Sequence, residues 1–389
     1  MQRLANKTFA TCVTVLSVST LIDAAFLKDS HAESSVTLYG QVDLGFVYQR
    51  VRTGNDANVF IDPGATSSQF AMASGQESSS RWGLKGVEDL GNGATVRFVF
   101  ESAINATDGS SSGFSRQSTL GLSQKGIGSV DLGRRLSPGT YAFAGIDPFN
   151  VNYGQASLDS SMGATNIRYS NMIAFTTESI SGLSLLGGYS TDTGLKAINS
   201  PVKAQAFGTS NKFRALSLGA RYKSGPLVIG ALFDTYFTPS GENSSSVKQW
   251  NIGGTYDLKV VTVHAAAGQN IGGRVSGSNV LANAQTSGGD TNVRGAIFYQ
   301  PGARTNQWMV GLTAPMGAQS KVFASIQQMR PGGDFSVGQR SNQTISSIGY
   351  THNLSKRTDV YAYFSYMDAP DMMSGATAQT LGAGIRHVF

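Results

Sequence analysis

Several arginines in this sequence of 389 residues occupy positions from which they could attract anions. Arg81 in SRWGLKG and Arg97 in ATVRFVFES alternate with apolar residues, and Arg168 lies beside Tyr169 in TNIRYSNM. If these segments are β-strands, the arginines point to the face opposite their apolar neighbours. A guanidinium group stays charged at any working pH and is rigid and planar. The pattern therefore predicts a surface that attracts anions, although Glu101 would offset part of the charge of Arg97 on the same face.

Sequence signatures of enzymes and of metal sites are missing. Beyond residue 32 only His264, His352 and His387 remain, without an HExxH motif or a cysteine pair. The nearest candidate for catalysis is a pair formed by His352 and Ser355. Ser355 does not lie in a GxSxG nucleophile elbow, and a strand end with its turn explains both residues better. We therefore predict neither an enzyme nor a bound metal or cofactor.

The N-terminus has the features of a secretory signal peptide. The basic start MQRLANK is followed by the mostly apolar run FATCVTVLSV and then by small residues around His31. An anchor helix is the less favoured alternative, because polar residues including Asp23 interrupt the run. We expect residues 1–32 to be removed and residues 33–389 to form one domain without cysteine. In an exported chain, scattered basic residues do not predict nucleic-acid binding.

Alternation of apolar and polar residues dominates the rest of the chain. In TLGAGIRHVF, for example, Leu381 and Ile385 alternate with Thr380 and Arg386. This period of two is typical of strands with one apolar and one polar face, and helical periodicity is hard to find. We predict sixteen strands, from SVTLYGQVDLGF near the start of the exported chain to AQTLGAGIRHVF at its end.

The connections between these strands alternate in length. Short turns such as 88–94 and 124–128 alternate with long links such as 51–78 and 135–164. This rhythm is typical of an outer-membrane barrel, whereas a soluble β-sandwich has more even spacing. A barrel with lipid outside and water inside also accommodates strands that have both an apolar and a polar face. We therefore predict an all-β fold, a transmembrane antiparallel β-barrel of sixteen strands.

The last predicted strand ends on the aromatic residue Phe389. Closing a barrel requires its last strand to pair with its first, and closure leaves no free sheet edge. We therefore expect Phe389 to lie at the membrane boundary, in a strand that pairs with residues 35–48.

Four segments, SVTLYGQVDLGF, SRWGLKGVEDLGNG, GSVDLGRR and the terminal GIRHVF, resemble the general diffusion porins of Gram-negative outer membranes. The resemblance is to the beta-proteobacterial branch and spans nearly the whole exported chain. It implies a homotrimer in contact with outer-membrane lipid and lipopolysaccharide, and a long third loop folded into the barrel lumen. It also implies that the terminal aromatic residue is the signal read by the outer-membrane assembly machinery.

The resemblance further implies that residues 135–164 narrow the pore, with a carboxylate near a Pro-Phe pair facing basic wall residues. Asp147, just before Pro148 and Phe149, matches that carboxylate, and Asp159 is the alternative. The family often has a glutamate between the proline and the phenylalanine and glycines after them, whereas here Asn150 follows directly. The acidic side of the constriction is therefore expected to be less negative than is typical of the family.

The opposite, basic side is expected to consist of arginines. Arg116 matches the family's third arginine by position, but it shares a strand face with Leu120 and Leu122. Either the strand has a bulge there, or this part of the wall packs against a neighbouring subunit. The predicted constriction residues are Arg81, Arg97, Arg116, Arg134, Arg135 and Arg168, together with Asp147.

Rings of arginine in a pore select for anions, and the net charge of the chain is +6. We therefore predict a water-filled channel for passive diffusion of small hydrophilic solutes and ions, with a preference for anions. The alternative is a substrate-specific outer-membrane channel, in which the substrate would block the current saturably.

Overall fold

The computed structural model describes residues 35–60, 62–195, 197–198, 212–239, 246–275, 297–335 and 338–389. The predicted signal peptide, residues 1–32, lies outside these ranges. No helix in the described ranges has the length and apolar character that crossing a bilayer requires.

Eighteen strands are described, and they belong to one sheet. The first nine are β1 (Ser35–Arg52), β2 (Thr66–Ser74), β3 (Arg81–Gly91), β4 (Ala94–Ala103), β5 (Gln117–Gln124), β6 (Gly128–Leu136), β7 (Arg168–Thr177), β8 (Leu183–Ser190) and β9 (Ala197–Ile198). The other nine are β10 (Arg214–Ser224), β11 (Leu227–Phe237), β12 (Ser246–Asp257), β13 (Thr262–Val275), β14 (Ile297–Met316), β15 (Ser320–Gly333), β16 (Gln343–Asn353), β17 (Thr358–Asp368) and β18 (Thr377–Val388).

These strands fill sixteen positions in a closed antiparallel barrel, as predicted. Residues 35–41 of β1 pair with β3 and residues 44–52 pair with β2, so β2 and β3 are two parts of one interrupted wall strand. β9 has only two residues and joins β14 as a short parallel strand from a connection. On its other edge β1 pairs with β18 from Gln41 to Arg52, which closes the barrel. β2 was not predicted, because its residues were assigned to the long link 51–78.

The outer face of the wall is apolar and the inner face is polar. On β15, Ile326 is 50% exposed whereas Gln327 is fully buried, and on β16 Ile348 is exposed whereas Ser347 is buried. This distribution is the reverse of that in a soluble protein, and it fits a barrel whose outer surface contacts lipid. The connections between strands also alternate as predicted. They are short at one end of the barrel, the short-turn rim, and longer at the other, the long-loop rim.

The connection between β6 and β7, residues 137–167, is named L3 here. It begins with a short helix, α1 (Pro138–Ala142), in which Ser137 caps the N-terminus by accepting the backbone N–H of Thr140. Ile146, Phe149 and Leu158 of L3 are fully buried. L3 contacts Ser217, Gln327 and Tyr361, which are buried side chains on the face opposite the exposed apolar residues, so it lies along the inner surface of the barrel.

Candidate functional site

L3 is held against the inner wall by hydrogen bonds to several strands. The backbone N–H of Gly139 donates to Ser217 Oγ of β10 at 3.0 Å. On β15, the side-chain amide of Gln327 donates to the carbonyl of Ala156 at 2.7 Å and accepts from Ser161 Oγ at 2.6 Å. Sequence reasoning missed this role of the inward-facing glutamine. The signal in the sequence was a polar residue at a position of β15 where alternation predicts an inward-facing side chain.

Two glycines of the wall allow L3 to approach closely. A Cβ atom at Gly219 of β10 would lie 2.7 Å from the carbonyl oxygen of Pro138, and one at Gly230 of β11 would lie 2.5 Å from that of Ala142. Glycine is therefore required at both positions for backbone to pack this tightly. Arg221 of β10 then donates to the carbonyl of Ala142 at 3.1 Å, near the C-terminus of α1.

An aromatic cluster secures the middle of L3. The ring centroid of Phe149 lies 4.9 Å from that of Phe323 on β15. The ring of Tyr153 packs on Tyr361 and Tyr363 of β17, with centroids 5.7 and 5.1 Å apart. Such edge-to-face pairs add to the free energy of burial and fix orientation, so L3 has a defined position in the barrel.

Asp147 lies inside L3. Its side chain is buried, and its carboxylate accepts the backbone N–H groups of Phe149 at 2.9 Å and of Val151 and Leu158 at 2.8 Å each. Burial raises the pKa of Asp147 to about 6, and the three hydrogen bonds oppose that increase. The structure thus places this carboxylate where it organises the loop. Asp159 is buried in L3 as well, and accepts a hydrogen bond from Ser157.

A cavity of about 430 Å³ lies between L3 and the wall formed by β3 to β7. It brings together four of the arginines predicted from the sequence. L3 contributes Val151, Asn152, Asn166 and Ile167 to the lining, and none of the described lining residues is Asp or Glu. The four arginines are Arg81, Arg116, Arg134 and Arg168.

Hydrogen bonds and ion pairs fix these arginines. Glu101 of β4 accepts Arg116 Nε at 2.6 Å and lies 3.4 Å from Arg81 Nε. Arg168 Nε donates to the carbonyl of Arg116 at 2.9 Å, and Arg134 is bonded to a serine hydroxyl of β7 at 2.8 Å. Among the residues that the structure describes, Glu101 is shared by two of the four arginines and the cavity lining contains no carboxylate, so the described lining carries more positive than negative charge.

The alternation of residues along the strands does not explain why Arg116 and Arg168 lie at the cavity. Arg116 lies one residue before β5 begins, so the face it shares with Leu120 does not determine its direction. Tyr169 is fully buried and donates to Asp234 on the inner side, rather than facing outwards. The register between β6 and β7 shifts directly after Tyr169, between Tyr169 and Met172, which disrupts the alternation from which Arg168 was assigned.

The remaining two predicted arginines lie apart from the cavity. Arg97 of β4 makes a salt bridge of 2.8 Å with Asp131 of β6, and Arg135 pairs with the same carboxylate. Arg135 is buried, and its guanidinium lies 4.8 Å from the ring centroid of Tyr141. Asp131, rather than Glu101, therefore neutralises Arg97.

The other candidates for chemistry are accounted for by local structure. His352 Nδ1 is bonded to Ser320 Oγ at 2.8 Å, whereas the hydroxyl of Ser355 accepts backbone N–H groups within its own turn. In the part of the chain that the structure describes, no group of three His, Cys, Asp or Glu side chains is placed to hold a metal ion.

Comparison with known proteins adds three findings. The profile of a family described as Gram-negative porin matches residues 21–371. An outer membrane porin protein of Bordetella pertussis is 36% identical over 94% of this chain and 97% of its own length. An anion-selective porin from Comamonas acidovorans superposes with a TM-score of 0.69 at 25% identity, over 92% of this chain and 100% of that one.

Proposed function

The chain belongs to the Gram-negative porin family and is located in the outer membrane, and from this premise we propose that it forms a water-filled, anion-preferring channel. Small hydrophilic solutes and ions would cross it by passive diffusion. The pore radius and the field inside would set the rate, and no reaction would occur.

The observation that carries the anion preference is the cavity lined by Arg81, Arg116, Arg134 and Arg168 beside L3. Positive charges in a narrow passage with low-dielectric walls concentrate the field and raise the local concentration of anions. The similarity to a porin described as anion-selective supports the same preference.

Reversal potentials of single channels in a salt gradient test this proposal. We expect the wild type to prefer anions, and Arg81→Ala and Arg168→Ala each to lower the anion-to-cation permeability ratio by up to about thirtyfold, because removing one charge changes the free energies of the anion and of the cation in opposite directions. In water, the interaction between a unit charge on the wall and a monovalent ion 4 Å away is about 1 kcal/mol. Arg97→Ala is the matched control, because it removes an inner-wall arginine that is paired with Asp131 outside the cavity.

Unchanged reversal potentials in both cavity variants would show that Arg81 and Arg168 do not contribute to the ion selectivity. An equally large change in Arg97→Ala would show that the overall charge of the inner wall, and not the cavity, sets the preference.

The proposal extends to assembly and to the absence of catalysis. The sequence resemblance supports a homotrimer, and native mass spectrometry that found only single chains would contradict it.

The hydrogen bonds of His352 and Ser355 support a structural role for both residues. A hydrolytic activity lost in His352→Ala would contradict that role.

A further inference from the structure

Residues 75–80, named the inner bend here, connect β2 to β3 where the wall strand is interrupted. Ser78 and Ser79 of the inner bend line the cavity that contains the four arginines. The backbone carbonyl of Gln76 accepts the N–H of Tyr153 at 2.6 Å, so the inner bend also contacts L3. A change of charge in the inner bend would therefore act directly beside the cavity.

Glu77 of the inner bend lies against a second carboxyl group. Its side chain is 9% exposed and lies within hydrogen-bonding distance of Asp359 on β17, whose side chain is 6% exposed. Among the residues that the structure describes, neither Oε2 of Glu77 nor Oδ1 of Asp359 has a hydrogen-bond donor, although both atoms are buried. Two ionised carboxylates at this distance repel each other, and a buried acceptor without a donor is costly. One proton between the two groups removes both costs.

The charges around this pair are mostly negative. Arg386 of β18 donates to Oδ2 of Asp359 at 2.7 Å and lies 3.6 Å from Glu77. Asp43 of β1 is a third carboxylate, and it is fully buried close to the same arginine. If all three carboxylates were ionised, a single arginine would face three negative charges in a poorly solvated site.

The other titratable neighbours do not add a positive charge to the pair. Tyr361 of β17 donates to the third carboxylate, and Tyr153 of L3 faces Glu77. Phenols are neutral at pH 7. Arg81 follows the inner bend, but its guanidinium lies against Glu101 and donates to the inner bend's own backbone. The described surroundings therefore favour a pair that keeps one proton.

We propose that Glu77 and Asp359 hold one proton between them at neutral pH, and that its loss at alkaline pH shifts the selectivity of the channel towards cations. The pair then carries one negative charge at neutral pH and two at alkaline pH, and the proton belongs to the pair rather than to either residue. Ser78, the next residue along the chain, lines the cavity, so the second charge acts on ions that pass the arginines. The proposal rests on the channel of the proposed function but not on its anion preference.

Reversal potentials of single channels at pH 6.5 and pH 9.5 test this proposal. We expect the anion-to-cation permeability ratio of the wild type to fall by up to about sixfold between these values, the effect in water of one unit charge about 8 Å from each passing ion. Glu77→Gln leaves one charge, that of Asp359, at both pH values. Its ratio should equal that of the wild type at pH 6.5 and exceed it at pH 9.5. Lysines and tyrosines titrate in both proteins, so the difference isolates the pair.

Two further variants complete the test. Asp359→Asn leaves the single charge on Glu77, and it should reproduce both results of Glu77→Gln. Glu178→Gln is the matched control, because it removes an exposed carboxylate in the turn between β7 and β8. Its ratio should differ from that of the wild type by the same factor at both pH values.

Infrared difference spectra of the detergent-solubilised barrel detect the proton itself. We expect the wild type to lose a band of a protonated carboxyl group between pH 6.5 and pH 9.5, and Glu77→Gln to lack that band. This readout does not depend on ion flow, and a residue that only supports the fold would not change it.

A ratio in Glu77→Gln that already differs from that of the wild type at pH 6.5 would show that Glu77 is ionised there, and would overturn the proposal. So would equal ratios of the two proteins at pH 9.5, or a carboxyl band that persists in Glu77→Gln. A wild type without anion preference at pH 6.5 would contradict the proposed function instead, because the shift towards cations at pH 9.5 is expected from any starting selectivity.

Discussion

At the scale of single residues, Asp147 shows how a carboxylate can organise a loop without facing the pore. Sequence resemblance placed it opposite the arginines, whereas its oxygens accept three backbone N–H groups within L3. Its ordinary pKa is 3.8, and burial raises it to about 6. Between these values the unfolded chain loses the proton while the folded loop keeps it.

We therefore predict that Asp147 stabilises the folded barrel most below pH 4, and that this contribution is lost as the pH rises through about 6. The thermal unfolding midpoint of the detergent-solubilised protein should fall by a few degrees more between pH 4 and pH 7.5 than that of Asp147→Asn. The difference between the two proteins isolates this residue from other titrating groups. Parallel pH profiles would show that ionisation of Asp147 does not affect stability.

At the scale of elements, the position of L3 depends on the strands that face it. The length of the connection between β6 and β7 was readable from the sequence. The glycines at 219 and 230, and the inward-facing Gln327, gain their role only because distant strands meet the loop. Alternation could show that these residues face inwards, but it could not show what they touch.

We predict that Gly230→Val displaces L3, because its side chain would overlap the carbonyl of Ala142. Overpacking of this kind costs about 1–3 kcal/mol. Faster limited proteolysis within L3 and an altered single-channel conductance should accompany it. Gly187→Val is the control, since a Cβ at that position meets only Leu218, at 3.6 Å.

Wild-type conductance and wild-type protease resistance in Gly230→Val would contradict the close approach of L3 to β11. If Gly187→Val had the same effect, a general weakening of the strands would explain both results.

At the scale of the whole molecule, closure joins the two ends of the described chain. The backbone N–H of Phe389 donates to the carbonyl of Gly40 at 3.0 Å, and the N–H of Gly40 donates back at 3.2 Å. These bonds extend the pairing of β18 with β1 to the last residue. Phe389 is 47% exposed, which leaves part of its ring accessible to a partner in the membrane.

We predict that Phe389→Ser lowers the fraction of barrel assembled in cells, measured as the heat-modifiable band on gels, whereas Phe389→Tyr retains it. Refolding of both variants into detergent micelles should match the wild type, because the backbone bonds to Gly40 do not need the ring. Failure of Phe389→Ser in micelles as well as in cells would assign the residue to closure rather than to recognition by the assembly machinery.

The sequence by itself determined the class of fold, the sixteen wall positions, the alternation of short and long connections and the family. These depend on local patterns, because each strand must present one face to lipid and the other to water. Only the tertiary structure decided which charges meet. Arg81, Glu101, Arg116 and Arg168 come from four separate segments, and an irregular register after Tyr169 changes which residues face inwards. No local pattern encodes such contacts, since they arise only when the closed barrel brings distant strands and L3 together.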